Sequence, residues 1–282
     1  MSKGASQAMT FWEHVEVLRK IVFCIIGAIV GVSAVAFFFK EQLFDIVFAP
    51  HDSDFIIYRL FCRLAEALGM PSICPGEFHV DLINTELTSQ FMTHLSVSIY
   101  FGVLATSPYI VYKLFGFISP ALYDNERRYS FILIFCSFLL FFSGVLLNYF
   151  VIFPLSFRFL GTYQVSDFVV NQITLSSYIS TLVMLSLLLG IVFEIPVLAF
   201  FLAKLGLISK EMLRRYRRHA FVVICIIAAI ITPTADIFTL LLVACPIFIL
   251  YELSILVVGR VNKGGNKAQI EDESNNPPRS IH

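Results

Sequence analysis

The stretch LLLGIVFEIPVLAFFLA, residues 187–203, carries one charged side chain, Glu194, in a run that is otherwise apolar apart from Gly190 and Pro196. With the upstream residues from 175 it exceeds the roughly 20 residues an α-helix needs to cross the hydrocarbon of a bilayer. It therefore reads as a membrane span with a carboxylate inside it. A charge at the centre of such a helix costs about 2.5–3.5 kcal/mol on insertion scales, so it faces a cavity or a partner. The alternative is a protonated Glu194 hydrogen-bonded to a Ser or Thr of a neighbouring helix. Pro196, two residues on, frees a backbone carbonyl nearby and suits either arrangement.

The rest of the chain has the same character. Of its 282 residues 58% are hydrophobic and 14% charged, with a mean hydropathy of +0.82, against an apolar share of roughly 45–50% in soluble domains. Further apolar runs occupy residues 21–39, 91–112 and 130–153, and two weaker ones, 220–232 and 237–258, are split by TPTAD at 232–236. The expected fold is all-α: a polytopic membrane domain over residues 1–262 with six transmembrane helices, the last two short, and an external cap at 40–90. The fifth run spans only about 20 Å at 1.5 Å per residue, which requires a thinned bilayer or snorkelling flanks. Residues 21–39 are longer than the apolar region of a signal peptide and end in the bulky FFFKEQLF without a small-residue cleavage site, so the helix is expected to be retained. The polar tail at 263–282 is expected to be disordered and cytoplasmic.

The zero net charge hides an asymmetry. With six spans, Lys3, Arg19 and Lys20, then Lys113, Arg127 and Arg128, then Lys204, Lys210, Arg214, Arg215, Arg217 and Arg218, then Arg260, Lys263, Lys267 and Arg279 share one side, which is 16 of the 20 basic residues. Lys40, Arg59, Arg63 and Arg158 lie on the other. The positive-inside bias places both termini in the cytoplasm.

Cys24, Cys136, Cys225 and Cys245 fall inside spans and read as small apolar residues. Cys62 and Cys74 lie in the external segment, where Ile57, Phe61, Leu64 and Leu68 recur at helical spacing and Gly69 and Pro71 stop the helix. From Cys62 to Gly69 a helix rises about 10 Å, and the residues to Cys74 reach about 17 Å extended, so the two sulfurs can meet. A disulfide closing this loop would contribute roughly 2–4 kcal/mol. The other reading is two thiols buried on the apolar face of the surface helix.

Two segments carry cytoplasmic motifs. In TFWEHVEVLRK, residues 10–20, Phe11, Trp12, Val15 and Leu18 share one helical face and Glu13, Glu16, Arg19 and Lys20 the other, with Thr10 and Glu13 spaced as a capping box. By spacing this is an interfacial helix leading into the first span. The link SPYIVYKLFGFISPALYDNERRYSF, residues 107–131, holds Pro108 in the second helix and Pro120 in the loop, where prolines kink or end helices. Arg127 and Arg128 read equally well as membrane anchors.

Five blocks in register, HVEVLRK (14–20), SPYIVYKLFGFISPALYDNERR (107–128), FEIP (193–196), RRYRRHAFVV (214–223) and TPTADIFTLLLVACPIFILYELSI (232–255), resemble the TatC family of the twin-arginine protein translocase. The resemblance covers nearly the whole chain and is weakest over 51–79 and the tail. It implies a cup-shaped six-helix receptor in the bacterial cytoplasmic (inner) membrane that binds twin-arginine signal peptides and helps export folded proteins. It further implies single-span TatA and TatB-type partners, self-association in a receptor complex, and energy from the proton-motive force. By the same resemblance Glu126, in the ALYxxERR block, is the foremost carboxylate for the substrate arginines, joined by Glu16, Arg19, Phe117 and Pro108. Bidentate pairing of guanidinium with carboxylate supplies both charge and geometry. The family block usually reads HLEELR. Here Glu16 matches its first glutamate and Val17 stands at the second, so Glu16 or Glu13 is expected to take part of that role. Glu194 falls on the concave wall, and Pro50 and Asp236 are expected to be partner contacts or structural positions. The external face of that membrane is oxidising, which favours a Cys62–Cys74 bridge.

Other classes fit less well. A proton-coupled secondary transporter would also use a mid-membrane acid such as Glu194, but the two halves show no repeat and no matched pair of broken helices. An intramembrane protease would need a motif such as G-x-S-x-G or H-E-x-x-H, and neither occurs. No nucleotide loop, cofactor motif, metal cluster or nucleic-acid motif is present in the sequence, and no enzymatic activity is expected.

Overall fold

A computed structural model describes residues 11–52, 55–67, 80–118, 130–164, 166, 171–232 and 236–275. In chain order the helices are α1 (Phe11–Phe37), α2 (Lys40–Phe48), α3 (Ile56–Ala67), α4 (Ser89–Ile118), α5 (Ser130–Leu147), α6 (Phe153–Thr162), α7 (Leu175–Val192), α8 (Ile195–Lys204), α9 (Lys210–Arg215), α10 (Arg217–Ile231) and α11 (Ile237–Asn275). Among the described residues, a 3-10 turn covers Ala49–His51, a π turn covers Asn148–Ile152, and short strands lie at Leu82–Ile83 and Ile173–Thr174.

The all-α reading holds. Among the described residues, five segments are long and apolar enough to cross a membrane: Val15–Phe37, Ser89–Phe117, Ile132–Thr162, Leu175–Lys204 and Ile237–Val261. The sixth, α10, has 15 residues and so rises about 22 Å. The expected short fifth span is therefore present. The last span is not short, because its helix carries Pro246 without a break. Water does not reach the freed groups in hydrocarbon, so the backbone gains nothing by opening there. The same helix continues to Asn275, so residues 263–275, expected as disordered tail, have helical backbone. Lys, Ala, Gln and Glu are good helix formers, and extending an existing helix carries no nucleation cost. The N-terminal interfacial helix and the first span form one continuous helix, α1.

The chain divides into two compact units. The first comprises Met1–Ala49, Leu82–Leu139 and Thr174–Ser180. Here α1 packs on α4 with Ser33 set against Gly102, where a Cβ would meet the Ser33 hydroxyl and come 3.1 Å from its backbone nitrogen. Further along the same pair, the Phe37 and His94 rings stack with centroids 3.9 Å apart, and Phe44 of α2 lies 5.9 Å from His94. The buried Tyr178 hydroxyl donates to the carbonyl of Val47 at 2.9 Å.

The second unit comprises Pro50–Asp81, Leu140–Ile173 and Thr181–His282. Its core joins Ile152, Leu185, Leu189, Phe193, Ile224, Ala228, Ile231, Val243 and Ile247, with α8, α9 and α10 each against α11. Close approach of α5 to α7 depends on Gly144, where a Cβ would lie 2.8 Å from the carbonyl oxygen of Leu189, and on Gly190, where it would lie 2.7 Å from the Phe141 ring. The external helix α3 is seated on the π turn and α6. Phe55 stacks on Phe150 at 5.8 Å, the Tyr58 hydroxyl donates to the carbonyl of Pro154 at 2.8 Å, and Arg158 lies over the Tyr58 ring at 5.8 Å. Burial raises the Tyr58 phenol well above its usual range, against the opposing pull of Arg158, so the hydroxyl remains a donor.

Gly102→Val should lower the resistance of the purified protein to denaturant by about 1–3 kcal/mol, the range for overpacking. Gly27→Val, at a position where a Cβ meets nothing within 4 Å, should stay within about 0.5 kcal/mol of the parent. Equal behaviour of the two variants would contradict the packing described for α1 and α4.

Candidate functional site

Glu194 sits at a helix break. Pro196 cannot donate a backbone hydrogen bond to Val192, and the helix stops there: α7 ends at Val192 and α8 begins at Ile195. The Glu194 backbone bridges the break. Its N–H donates to Ile191 at 3.1 Å and its carbonyl accepts from Val197 and Leu198 at 3.0 and 2.9 Å. The residue is half-buried, occupies the N-cap position of α8, and so lies where the partial positive charge of a helix N-terminus favours a carboxylate. Lys204, the last residue of α8, is ten positions on, about 15 Å at 1.5 Å per residue. This is half the roughly 30 Å hydrocarbon thickness. Glu194 is thus a mid-membrane acid whose surroundings are interrupted helix rather than continuous helix.

The cytoplasmic end of this span is closed by standard caps. Gly206 has a φ of 72°; its N–H donates to Ala203 at 3.0 Å and that of Leu207 to Leu202 at 2.9 Å, the Schellman arrangement, which favours glycine at the left-handed position. Ser209 then caps α9, its hydroxyl accepting from the Met212 N–H at 3.2 Å.

On the first unit, Glu16 is exposed on α1 and pairs with Lys20 at 2.9 Å, while Arg19 is also exposed. Pro108 lies inside α4 with an exposed ring, and Phe117 near its end is half-buried. Ser107 compensates for Pro108: its hydroxyl donates at 2.7 Å to the carbonyl of Leu104, the acceptor the proline leaves without a helical N–H. The α1 and α4 contacts run antiparallel, with Phe37 at His94 and Ser33 at Gly102. Glu16 lies 17 residues before Ser33 and Phe117 15 after Gly102, about 26 and 23 Å along their helices, so the two stand at the same level. Val17 is exposed beside Glu16. Glu126 lies outside the described residues, as does the side chain of Glu13.

On the second unit, Pro50 is buried in the 3-10 turn, next to His51, whose Nε2 lies 2.7 Å from the carbonyl of Val80. Asp236 is the N-cap of α11: its Oδ1 accepts from the Thr239 N–H at 2.6 Å and its carbonyl from Leu240 at 3.1 Å. Of the cysteines, Cys62 is disulfide-bonded, whereas Cys24, Cys136, Cys225 and Cys245 are free. Cys74 lies outside the described residues.

One polar element was not singled out in the sequence. Asn148, fully buried at the start of the π turn, donates from Nδ2 to the Ser186 hydroxyl at 2.8 Å and to the carbonyl of Leu182 at 3.4 Å. An asparagine inside an apolar run was the available signal, since buried amides require a partner.

The chain matches the family described as Sec-independent protein translocase protein (TatC) over residues 13–246. The chain belongs to the TatC family. A Blattabacterium protein of that name (sp. subsp. Periplaneta americana) is 37% identical over 264 residues, 93% of this chain and 99% of that one. The TatC of Carboxydothermus hydrogenoformans is 33% identical over 249 residues, covering 88% and 92%. A crystal structure of the twin-arginine translocase receptor TatC superposes with a TM-score of 0.70 at 31% identity, covering 89% of this chain and all of that one. The chain is therefore a multi-pass inner-membrane subunit of the Tat protein translocase.

In this TatC, Asp236→Ala should reduce stability by about 1 kcal/mol through loss of the cap, and Asp236→Asn or Asp236→Ser should restore most of it. Denaturant titration of the purified protein checks this. Failure of Asn and Ser to rescue would show that the charge, rather than the cap, is what the position supplies.

Proposed function

We propose that this TatC binds the paired arginines of signal peptides at its cytoplasmic face, with Glu126 as the principal carboxylate and Glu16 as the contribution of α1, and that Phe117, Pro108 and Arg19 complete that surface. The observation that carries the reading is the family match over residues 13–246, which includes both motif blocks. The geometry supports it. Glu16 is exposed and its partner Lys20 lies one turn away on the same helix, a pair that is weak in water and easily exchanged for an incoming guanidinium. Because Val17 stands where the family block has its second glutamate, Glu16 carries the α1 share with Glu13 as the nearer alternative.

Bound peptide would bring a folded protein to a membrane region containing the short α10 and the interrupted span at Glu194. In this reading Glu194 meets polar groups of single-span TatA or TatB-type helices or holds water that weakens the bilayer locally. The proton-motive force supplies the energy, and several copies assemble in the receptor complex.

The test is photocrosslinking of a twin-arginine signal peptide to the protein in membranes. Glu126→Ala should abolish the adduct while the protein remains inserted, Glu16→Gln should weaken it measurably, Val17→Glu should be harmless, and a twin-lysine peptide should fail to crosslink. Wild-type yields from Glu126→Ala would remove that residue from the site, and wild-type yields from Glu16→Gln and Glu13→Gln would leave α1 a structural role only.

A further inference from the structure

The cytoplasmic entry to α10 carries Arg214, Arg215, Arg217 and Arg218, and they are not equivalent. Arg217, exposed like the others, is paired: its Nε is 2.5 Å from Glu252 Oε1 of α11, and its guanidinium lies over Phe248 at 6.0 Å. Arg215 and Arg218 are exposed and, among the described residues, have no carboxylate partner. Following Arg218 at intervals of four come Val222, Ile226 and Ile230, which are 56%, 53% and 71% exposed. Residues four apart share one helical face, so the guanidinium of Arg218 stands at the head of an apolar stripe that, in a membrane helix, faces acyl chains. Arg215, the last residue of α9, precedes it across the turn at Tyr216 and is likewise exposed.

From this we propose that Arg215 and Arg218 form a binding site for the phosphate of an anionic phospholipid in the cytoplasmic leaflet. Three observations select that occupant. Arg218 continues the outward stripe of α10, with Arg215 one turn of chain before it, so a ligand held by them has its apolar part along Val222 and Ile226. The helix has 15 residues and rises only about 22 Å, less than the roughly 30 Å of hydrocarbon, which draws its polar end down to headgroup level. The chemistry is complementary, since two guanidinium forks match phosphate oxygens in a bidentate manner. A twin-arginine peptide would meet like charge here, so this surface is distinct from the peptide site proposed above. The Arg217–Glu252 pair ties the entry of α10 to α11, while Arg214, Arg215 and Arg218 are exposed, and of these Arg218 heads the apolar stripe.

The proposal is tested by native mass spectrometry of the full-length protein released from detergent after equilibration with equal amounts of phosphatidylglycerol and phosphatidylcholine of matched acyl chains. Wild type should retain phosphatidylglycerol preferentially. Arg215→Gln and Arg218→Gln should each reduce that preference by about fivefold, the factor for one basic residue near an anionic membrane surface. Lys40→Gln, on the external side, should leave it unchanged. Should either Gln variant fail to fold, Arg218→Lys, which keeps the charge and loses the fork, should still show a reduced preference. Undiminished phosphatidylglycerol retention in the folded Gln variants would overturn the proposal. So would displacement of the lipid by millimolar inorganic phosphate, which marks a soluble-anion site, or a loss of preference no greater than that from Lys40→Gln, which would leave these arginines to a soluble acidic partner.

Discussion

Within the hydrocarbon a backbone carbonyl has no water to accept from, so every interruption of a helix must be answered by the protein itself. Much of this TatC is organised around such answers. Pro108 leaves Leu104 short of a donor, and Ser107 supplies one from its own side chain, so α4 continues. Pro196 leaves Val192 short, and there the helix yields, placing Glu194 at the junction with both its N–H and its carbonyl engaged. Pro246 leaves α11 unbroken. These three prolines thus have three outcomes: at Pro108 a side chain compensates, at Pro196 the helix breaks, and at Pro246 it runs on.

The same economy applies to side-chain polarity. Asn148 is the widened turn's own polar group and is met by Ser186 across the α5–α7 contact, which Gly144 and Gly190 keep close. Other polar groups of the unit serve helix ends: Asp236 caps α11, Ser209 caps α9, and Arg217 at the start of α10 joins Glu252 of α11. Glu194 differs because it stands at an N-terminus inside the membrane. A carboxylate there is stabilised by the helix dipole, and the residue is half-buried at the junction of α7 and α8.

The number of spans, their order and the short α10 were legible in the sequence because they depend on apolar runs and punctuation, which are local properties. Pro196 signals a freed carbonyl beside Glu194 inside one span; that the helix ends at Val192 and restarts at Ile195 is seen only in the structure. The last span reaches Val261, beyond the apolar run at 237–258, because the helix continues where the apolar residues stop, and the helical backbone at 263–275 was masked by the glycines at 264 and 265. The π turn at Asn148 was not legible at all, since its reason is Ser186, 38 positions away. For the peptide site, motif blocks named Glu126, Glu16, Phe117 and Pro108, and the antiparallel register of α1 and α4 adds what no block contains, that Glu16 and Phe117 share one level. The cap role of Asp236 was half-visible, as an Asp preceding an apolar run.

The sidedness of the chain underlies the proposed peptide site, the proposed lipid site and the depth assigned to Glu194. Reporter fusions along the chain in living cells measure it directly. Fusions after Gly69 and Val165 should read external, and those after Asn125, Leu213 and Gly264 internal; an internal reading at Gly69 or an external one at Leu213 would contradict the account.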